Sequence, residues 1–127
     1  MSIERLTTNP ASGFSDAVTA VGPGRLIHVA GNVGFGSDGT VVAGGMGAEA
    51  RATFDNIERT LAAAGAQMSQ VVKINAFVTS LEEYADYASA RAERFGEQLP
   101  ASATVQVAGL LVGAQIEIDA VAFVPDA

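Results

Sequence analysis

Glu117 interrupts the strand-like apolar run Ile116-Glu-Ile-Asp-Ala-Val-Ala-Phe-Val124. A carboxylate so placed is paired, faces solvent on the wet side of a sheet, or is an acid aimed at a ligand. As an acid it would orient or deprotonate a water, or return a proton to a leaving amine. Fifteen residues earlier, Ser102 begins an alternating set with Thr104 and Gln106, so the three polar side chains share one face of another strand. They either line a cleft or meet solvent. A serine nucleophile needs a base, and the one histidine, His28, lies on a different strand with nothing in the sequence to bring it to Ser102. Ser-His hydrolysis is therefore disfavoured, and His28 reads as a packed or partly exposed strand residue. Cysteine is absent, which removes thiolate nucleophiles, disulfides and cysteine metal sites. One histidine is too little for an ordinary zinc or iron centre, so neither a metal nor another cofactor is expected. The glycine run Gly44-Gly45-Met-Gly47 precedes a helix but lacks the Gly-Lys-Ser/Thr ending of a phosphate loop, and reads as a connector.

Positioning these residues requires a small set of elements. Residues 24 to 31 alternate as a strand, with Ile27 and Val29 facing one way and Leu26, His28 and Ala30 the other. Asp38-Gly39 supplies a turn, after which Thr40 to Ala43 is expected to return as a strand or its stub. Phe54, Ile57, Leu61 and Ala64 recur at helical spacing, predicting a helix over about 48–64 with Gly65 as its C-cap. Val71 to Thr79 reads as a strand whose apolar face is Val72, Ile74, Ala76 and Val78. Ser80-Leu-Glu-Glu83 is a capping box opening a helix to about Phe95, on which Tyr84, Tyr87 and Phe95 read as packing. Strands near 101–107 and 115–124 close the chain. The expected class is α+β in the order ββαβαββ, with one further strand allowed at the N-terminus and a mixed sheet carrying two helices on one face.

The length of 127 residues fits one domain over 1–127. Half the residues are apolar and only 17% are charged, which predicts a globular chain whose apolar surface is covered by self-association. A net charge of −7 argues against nucleic acid and against anionic membrane surfaces. No apolar run approaches the length of a membrane span and the N-terminus has no signal-like core, so the expected location is cytoplasmic.

Several motifs in register resemble one family. Gly13-Phe-Ser-Asp-Ala-Val18, Leu26-Ile-His-Val-Ala-Gly-Asn32, the helix containing Phe54, Asn56 and Ile57, Val71-Val-Lys-Ile-Asn-Ala-Phe-Val78, and Pro100-Ala-Ser-Ala-Thr-Val105 with Ile116-Glu-Ile-Asp-Ala120 are similar to segments of the reactive-intermediate deaminases, the Rid or YjgF-like superfamily. The resemblance spans Phe14 to Val124. It implies a chorismate-mutase-like fold and a homotrimer whose sheets form a central pseudo-barrel with ligand clefts between subunits. It implies that Glu117 is the catalytic acid and that backbone amides at Gly31, next to Asn32, and at Thr104 cradle the ligand.

Three polar groups of the imine-hydrolysing branch are missing by the same resemblance. The carboxylate-gripping arginine falls on Ser102, the pocket tyrosine on Ala17 or Phe14, and a helix asparagine from the neighbouring subunit on Ala88. A guanidinium fork makes two charge-assisted bonds worth about 1.5–3 kcal/mol each, against about 1 kcal/mol for a serine hydroxyl. The difference weakens capture of an amino-acid-derived imine by roughly 30-fold to several thousandfold. Arg5, Arg25, Arg51, Arg59, Lys73, Arg91 and Arg94 do not fill the matching position, although one of them could reach the cleft from a neighbouring subunit. The resemblance thus implies an enzyme acting on a small reactive imine, enamine or related intermediate other than 2-aminoacrylate. The alternative is a trimer that binds a small metabolite without chemistry.

Overall fold

The computed structural model describes residues 2–127. Its strands are β1 (Ile3–Leu6), β2 (Ala17–Ala20), β3 (Gly24–Asn32), β4 (Val71–Val78), β5 (Ala101–Gln106) and β6 (Ile116–Pro125), and its long helices are α1 (Met46–Ala63) and α2 (Tyr84–Phe95). The main sheet has the order β3-β6-β4-β5, antiparallel except for the parallel pair β4-β5, while β1 and β2 form a separate antiparallel hairpin. The order is therefore βββαβαββ, a mixed α+β arrangement.

Two expectations about strands need correction. The N-terminal region contributes a hairpin, and of the strand or stub expected over Thr40–Ala43 only a lone bridge between Phe35 and Val41 forms. Asp38 Oδ1 accepts hydrogen bonds from Thr40 N at 3.0 Å and from the Thr40 hydroxyl at 2.8 Å. The backbone closes tightly at Gly36 N to Thr40 O, 2.8 Å, so a local loop replaces the ladder.

One face of the main sheet and the two helices enclose the core. Phe54, Ile57 and Leu61 of α1 and Tyr87, Ala90 and Phe95 of α2 pack with Ile74, Ala76, Val78, Ile116 and Ile118, all buried. Phe54 meets Phe95 edge-on at 5.5 Å between ring centroids. At the start of β4 the buried residue is Val71, not Val72, because the pairing with β6 shifts register between Val71 and Lys73. A bulge of this kind turns the side-chain alternation over by one residue. Ser80 accepts from Glu82 N at 3.2 Å and opens a single 3₁₀ turn over Leu81–Glu83, and α2 starts after Glu83 without a side-chain cap. The expected capping box is therefore half realised. At the other helix, Gly65 lies one residue beyond the C-cap, Ala64.

Side chains fix the hairpin to the sheet. Arg5 donates to the carbonyls of Leu99 at 2.7 Å, Ser69 at 2.8 Å and Val71 at 3.3 Å. The buried Ser15 hydroxyl donates to Leu99 O at 2.6 Å, and Ser15 N to Pro100 O at 2.9 Å. The chain just ahead of Ser102 is thereby held from the N-terminal side.

Candidate functional site

Glu117 pairs with Phe77 across β4 and β6, so it points away from the helices, on the opposite face from Ile116 and Ile118. Beside it β3 breaks register with β6 between Val29 and Asn32. Gly31 lies in that break, and a Cβ built on it would come 2.5 Å from Glu117 Oε2. Only the absence of a side chain at residue 31 leaves the carboxylate in its position. A concavity of about 230 Å³ opens there, lined by Gly31, Asn32, Phe35, Leu111, Val112 and Glu117 among others. Its walls are braced from α1. Asn56 Nδ2 donates to Val33 O and Phe35 O, both at 3.1 Å, and the buried Glu49 carboxylate accepts from Gln115 N at 2.8 Å, two residues before Glu117. Leu111, 81% exposed, and Val112, at φ 56°, form an apolar lip. A β-branched residue in that left-handed region is under strain. A carboxylate half-open to solvent beside a small apolar hollow can hold a water against a small molecule.

Ser102 and Thr104 register with Ile74 and Ala76, which places them on the helix face of β5. Within one chain they lie on the opposite side of the sheet from Glu117. One copy therefore forms no single cleft shared by the three, which the resemblance placed between subunits. What Ser102 meets is α2: Ser102, Arg91 and Thr104 all approach the Tyr87 hydroxyl. Burial drives the Tyr87 phenol above its ordinary pKa, and the nearby Arg91 guanidinium opposes that rise.

Arg91 is the largest buried side chain among the described residues, 2% exposed. Its guanidinium carbon lies 5.2 Å from the Tyr87 ring centroid and 5.7 Å from those of Phe14 and Tyr84. Nη2 donates to Ser12 O at 3.1 Å. Gly13, at φ 82°, passes so close that a Cβ there would stand 2.8 Å from Nη2. Among the described residues no carboxylate forms an ion pair with Arg91. Arg91 Nε, Tyr87 Oη and Ser102 Oγ are all buried and none meets strict hydrogen-bond geometry, although Ser102, Arg91 and Thr104 stand close enough to the Tyr87 hydroxyl to temper the rise in its pKa.

The sequence-derived candidates thus fall into two groups. Gly31 and Asn32 stand with Glu117; Phe14, Ser102 and Thr104 gather around Tyr87 and Arg91, and Ala88 follows Tyr87 on the same helix. Ala17 belongs to neither, being exposed on β2 opposite Leu6, so of Ala17 and Phe14 it is Phe14 that stands at the second group. His28 is exposed opposite Val121. From the sequence, Arg91 is named only among the basic residues outside the matching position, although its place carries a signal: Tyr84, Tyr87, Arg91 and Phe95 follow helical core spacing, and a cation at a core position needs an explanation. Sequence reasoning passed over a larger open hollow of about 640 Å³ that shares Asn32 and Phe35 with the first and runs to Asn56 and Arg59.

A mixed sheet with two helices on one face matches the α+β fold of YjgF-family chains. The family model described as Endoribonuclease L-PSP matches residues 5–124. A 2-iminobutanoate/2-iminopropanoate deaminase of Mus musculus is 32% identical over 117 residues, covering 91% of this chain and 87% of that protein. The crystal structure of the YjgF gene product from E. coli superimposes with a TM-score of 0.74 at 30% identity, over 87% of each chain. A protein of unknown function of the conserved Rid family, YyfB from Yersinia pestis, gives 0.85 at 28% identity over 98% of this chain and 100% of that one. The chain belongs to the Rid/YjgF/L-PSP family.

Proposed function

We propose that this chain converts a small reactive imine or enamine, with Glu117 directing a water molecule in a cleft completed by a second copy. The observation that carries the reading is the Gly31–Glu117 approach, which holds a carboxylate at the mouth of a hollow the size of a few-carbon metabolite. Glu117 would draw a proton from water as its oxygen adds to the imine carbon. The nitrogen takes up protons, the carbon–nitrogen bond breaks, and a carbonyl compound and ammonia leave. An enamine enters the same route after protonation at carbon. A neutral hydroxyl at residue 102 holds a substrate carboxylate weakly, which argued against 2-aminoacrylate. Arg91 now stands behind that residue, and a carboxylate-bearing substrate is open again.

The opposite placement of Ser102 and Glu117 supports a site between copies, since one molecule cannot touch both from a single chain. RNA cleavage, which the family description names, is disfavoured here, since seven basic residues against fourteen acidic ones give no basic track for phosphates. The test is Glu117→Gln. The nearly isosteric amide keeps fold and assembly and removes the charge that activates water, so ammonia release from small imines generated in situ should fall roughly 100-fold or more. Turnover at the parental rate in Glu117→Gln would end this mechanism, and absence of turnover in wild type would raise the purely metabolite-binding reading above it.

A further inference from the structure

We propose that Val112, with Leu111 beside it, forms the subsite for an apolar substituent of the substrate, so that the imine or enamine handled here carries a branched aliphatic side chain. The inference rests on the reading above and names its substrate class. Leu111 to Ala114 close a tight turn, with Ala114 N donating to Leu111 O at 3.2 Å, and both central residues have positive φ, 56° at Val112 and 68° at Gly113. A turn of this kind calls for glycine, asparagine or aspartate at its centre, because a branched Cβ crowds the backbone in the left-handed region. Gly113 obeys that rule and Val112 breaks it, alone among the described non-glycine residues. Val112 breaks a second rule as well. Its side chain is 63% exposed at the tip of the turn, so burial returns little of what the backbone loses. Asparagine would suit both the turn and the water around it. A residue ill matched to its turn and to its solvent has its reason in a contact that the unliganded chain does not make.

What lies beside the turn identifies that contact. Leu111 and Val112 line the hollow at Glu117, together with Val33 and Phe35. Glu117 carries the one charge among the lining side chains, and the Asn32 amide turns back to donate to Ala30 O at 2.8 Å. The hollow thus sets a single acid against side chains that are otherwise mostly carbon. At about 230 Å³ it takes a group of a few carbons and is too small to seat a helix or strand of a second copy. With the reacting carbon held at Glu117, a branched aliphatic group lying against the lip would take Val112 and Leu111 out of water, returning the burial that the open turn lacks.

The experiment holds the head group constant and varies the side chain, titrating the purified protein at equilibrium with 2-oxopropanoate, 2-oxobutanoate and 4-methyl-2-oxopentanoate, the carbonyl products of the corresponding imines. Each buried methylene strengthens binding about fourfold, so wild type should bind the branched acid at least about 10-fold more tightly than 2-oxopropanoate, with 2-oxobutanoate between. Val112→Asn should bring that ratio within about threefold and at the same time raise the denaturant midpoint, because the turn gains a residue it favours. A merely structural valine would not yield a more stable protein with a lost preference. Leu111→Ala, at an exposed position outside the strained backbone, should lower the ratio in part and supplies a second reading independent of the turn. No preference in wild type, a preference unchanged in both variants, or a lowered midpoint in Val112→Asn would each overturn the proposal. An unchanged preference with a reduced light-scattering mass in Val112→Asn would overturn it too and assign the lip to a second copy. Should the preference fail while Glu117-dependent imine turnover persists, the apolar subsite alone falls. Should it hold while wild type turns over no imine, the chemical reading alone falls.

Discussion

At the scale of single residues, the sequence displays chemical type and conceals partnership. Glu117 was legible because a carboxylate in an apolar strand stands out, and strand alternation gave its neighbours correctly. Its dependence on Gly31 was not, since residues 31 and 117 meet only after β3 and β6 pair and the ladder slips by a bulge. That dependence is testable. Gly31→Ala places a methyl group where Glu117 Oε2 now lies, with 2.5 Å available, so the carboxylate must rotate away or the bulge must move. The expected outcome is a fall in turnover of roughly 100-fold, approaching that of Glu117→Gln, with a modest loss of stability of about 1–2 kcal/mol from the local shift. Steady-state kinetics beside denaturant melts would check it. Parental turnover in Gly31→Ala would mean that the carboxylate does not work from this position.

Elements were readable where a hydrophobic period ran uninterrupted. The pattern Phe54, Ile57, Leu61 located α1 and Ile116, Ile118, Ala120 located β6, because burial against one continuous core enforces a single period. Where local hydrogen bonding competed, the pattern misled: Asp38 closed its own turn and removed the expected strand at 40–43, and the bulge in β4 exchanged Val72 for Val71. On α2 the period itself was right and its meaning was missed, since Arg91 occupies a core position among aromatic rings. Tyr87 offers a probe of this helix. Its hydroxyl is buried with only the imperfectly aligned contacts of Ser102, Arg91 and Thr104 around it, so Tyr87→Phe should change the stability of the unliganded protein by no more than about 1 kcal/mol. The phenol's pKa is raised in the folded state, so its neutral form belongs to that state. The associated stability is fully present below the unfolded value near 10 and is lost as pH rises through the folded value. Denaturant midpoints taken at pH 8 and above pH 10 should therefore drop more in wild type than in Tyr87→Phe. Equal drops would show that Tyr87 does not ionise on unfolding in that range.

For the whole molecule, composition anticipated a surface needing cover, and the far side of the sheet carries it. Leu26 is 57% exposed, Val105 47%, and Phe77 and Val121 are only partly buried, on the face that bears Glu117. No helix among the described residues is long and apolar enough to cross a membrane, so lipid does not account for this face by way of a helical span. Self-association through it is the expected outcome, with a light-scattering mass about three times the 12.9 kDa of the chain at micromolar concentration. A stable monomer under those conditions would remove the second copy that the proposed cleft needs. The sequence could not have given the geometry of this assembly, because nothing in a chain's own periodicity says which copy's strand will stand opposite which.

The division of candidate groups between two sides of one sheet has a genetic consequence. If each working cleft draws its acid from one copy and the wall around Ser102 from another, damage to either set is not confined to the chain that carries it. Chains bearing Glu117→Gln and chains whose wall at Ser102 is blocked by a bulky side chain would each be inactive alone. Assembled together they would regain a fraction of their clefts intact, wherever an undamaged acid meets an undamaged wall. Two null alleles would then complement one another in one cell, and the recovered activity would follow the mixing ratio of the two chains.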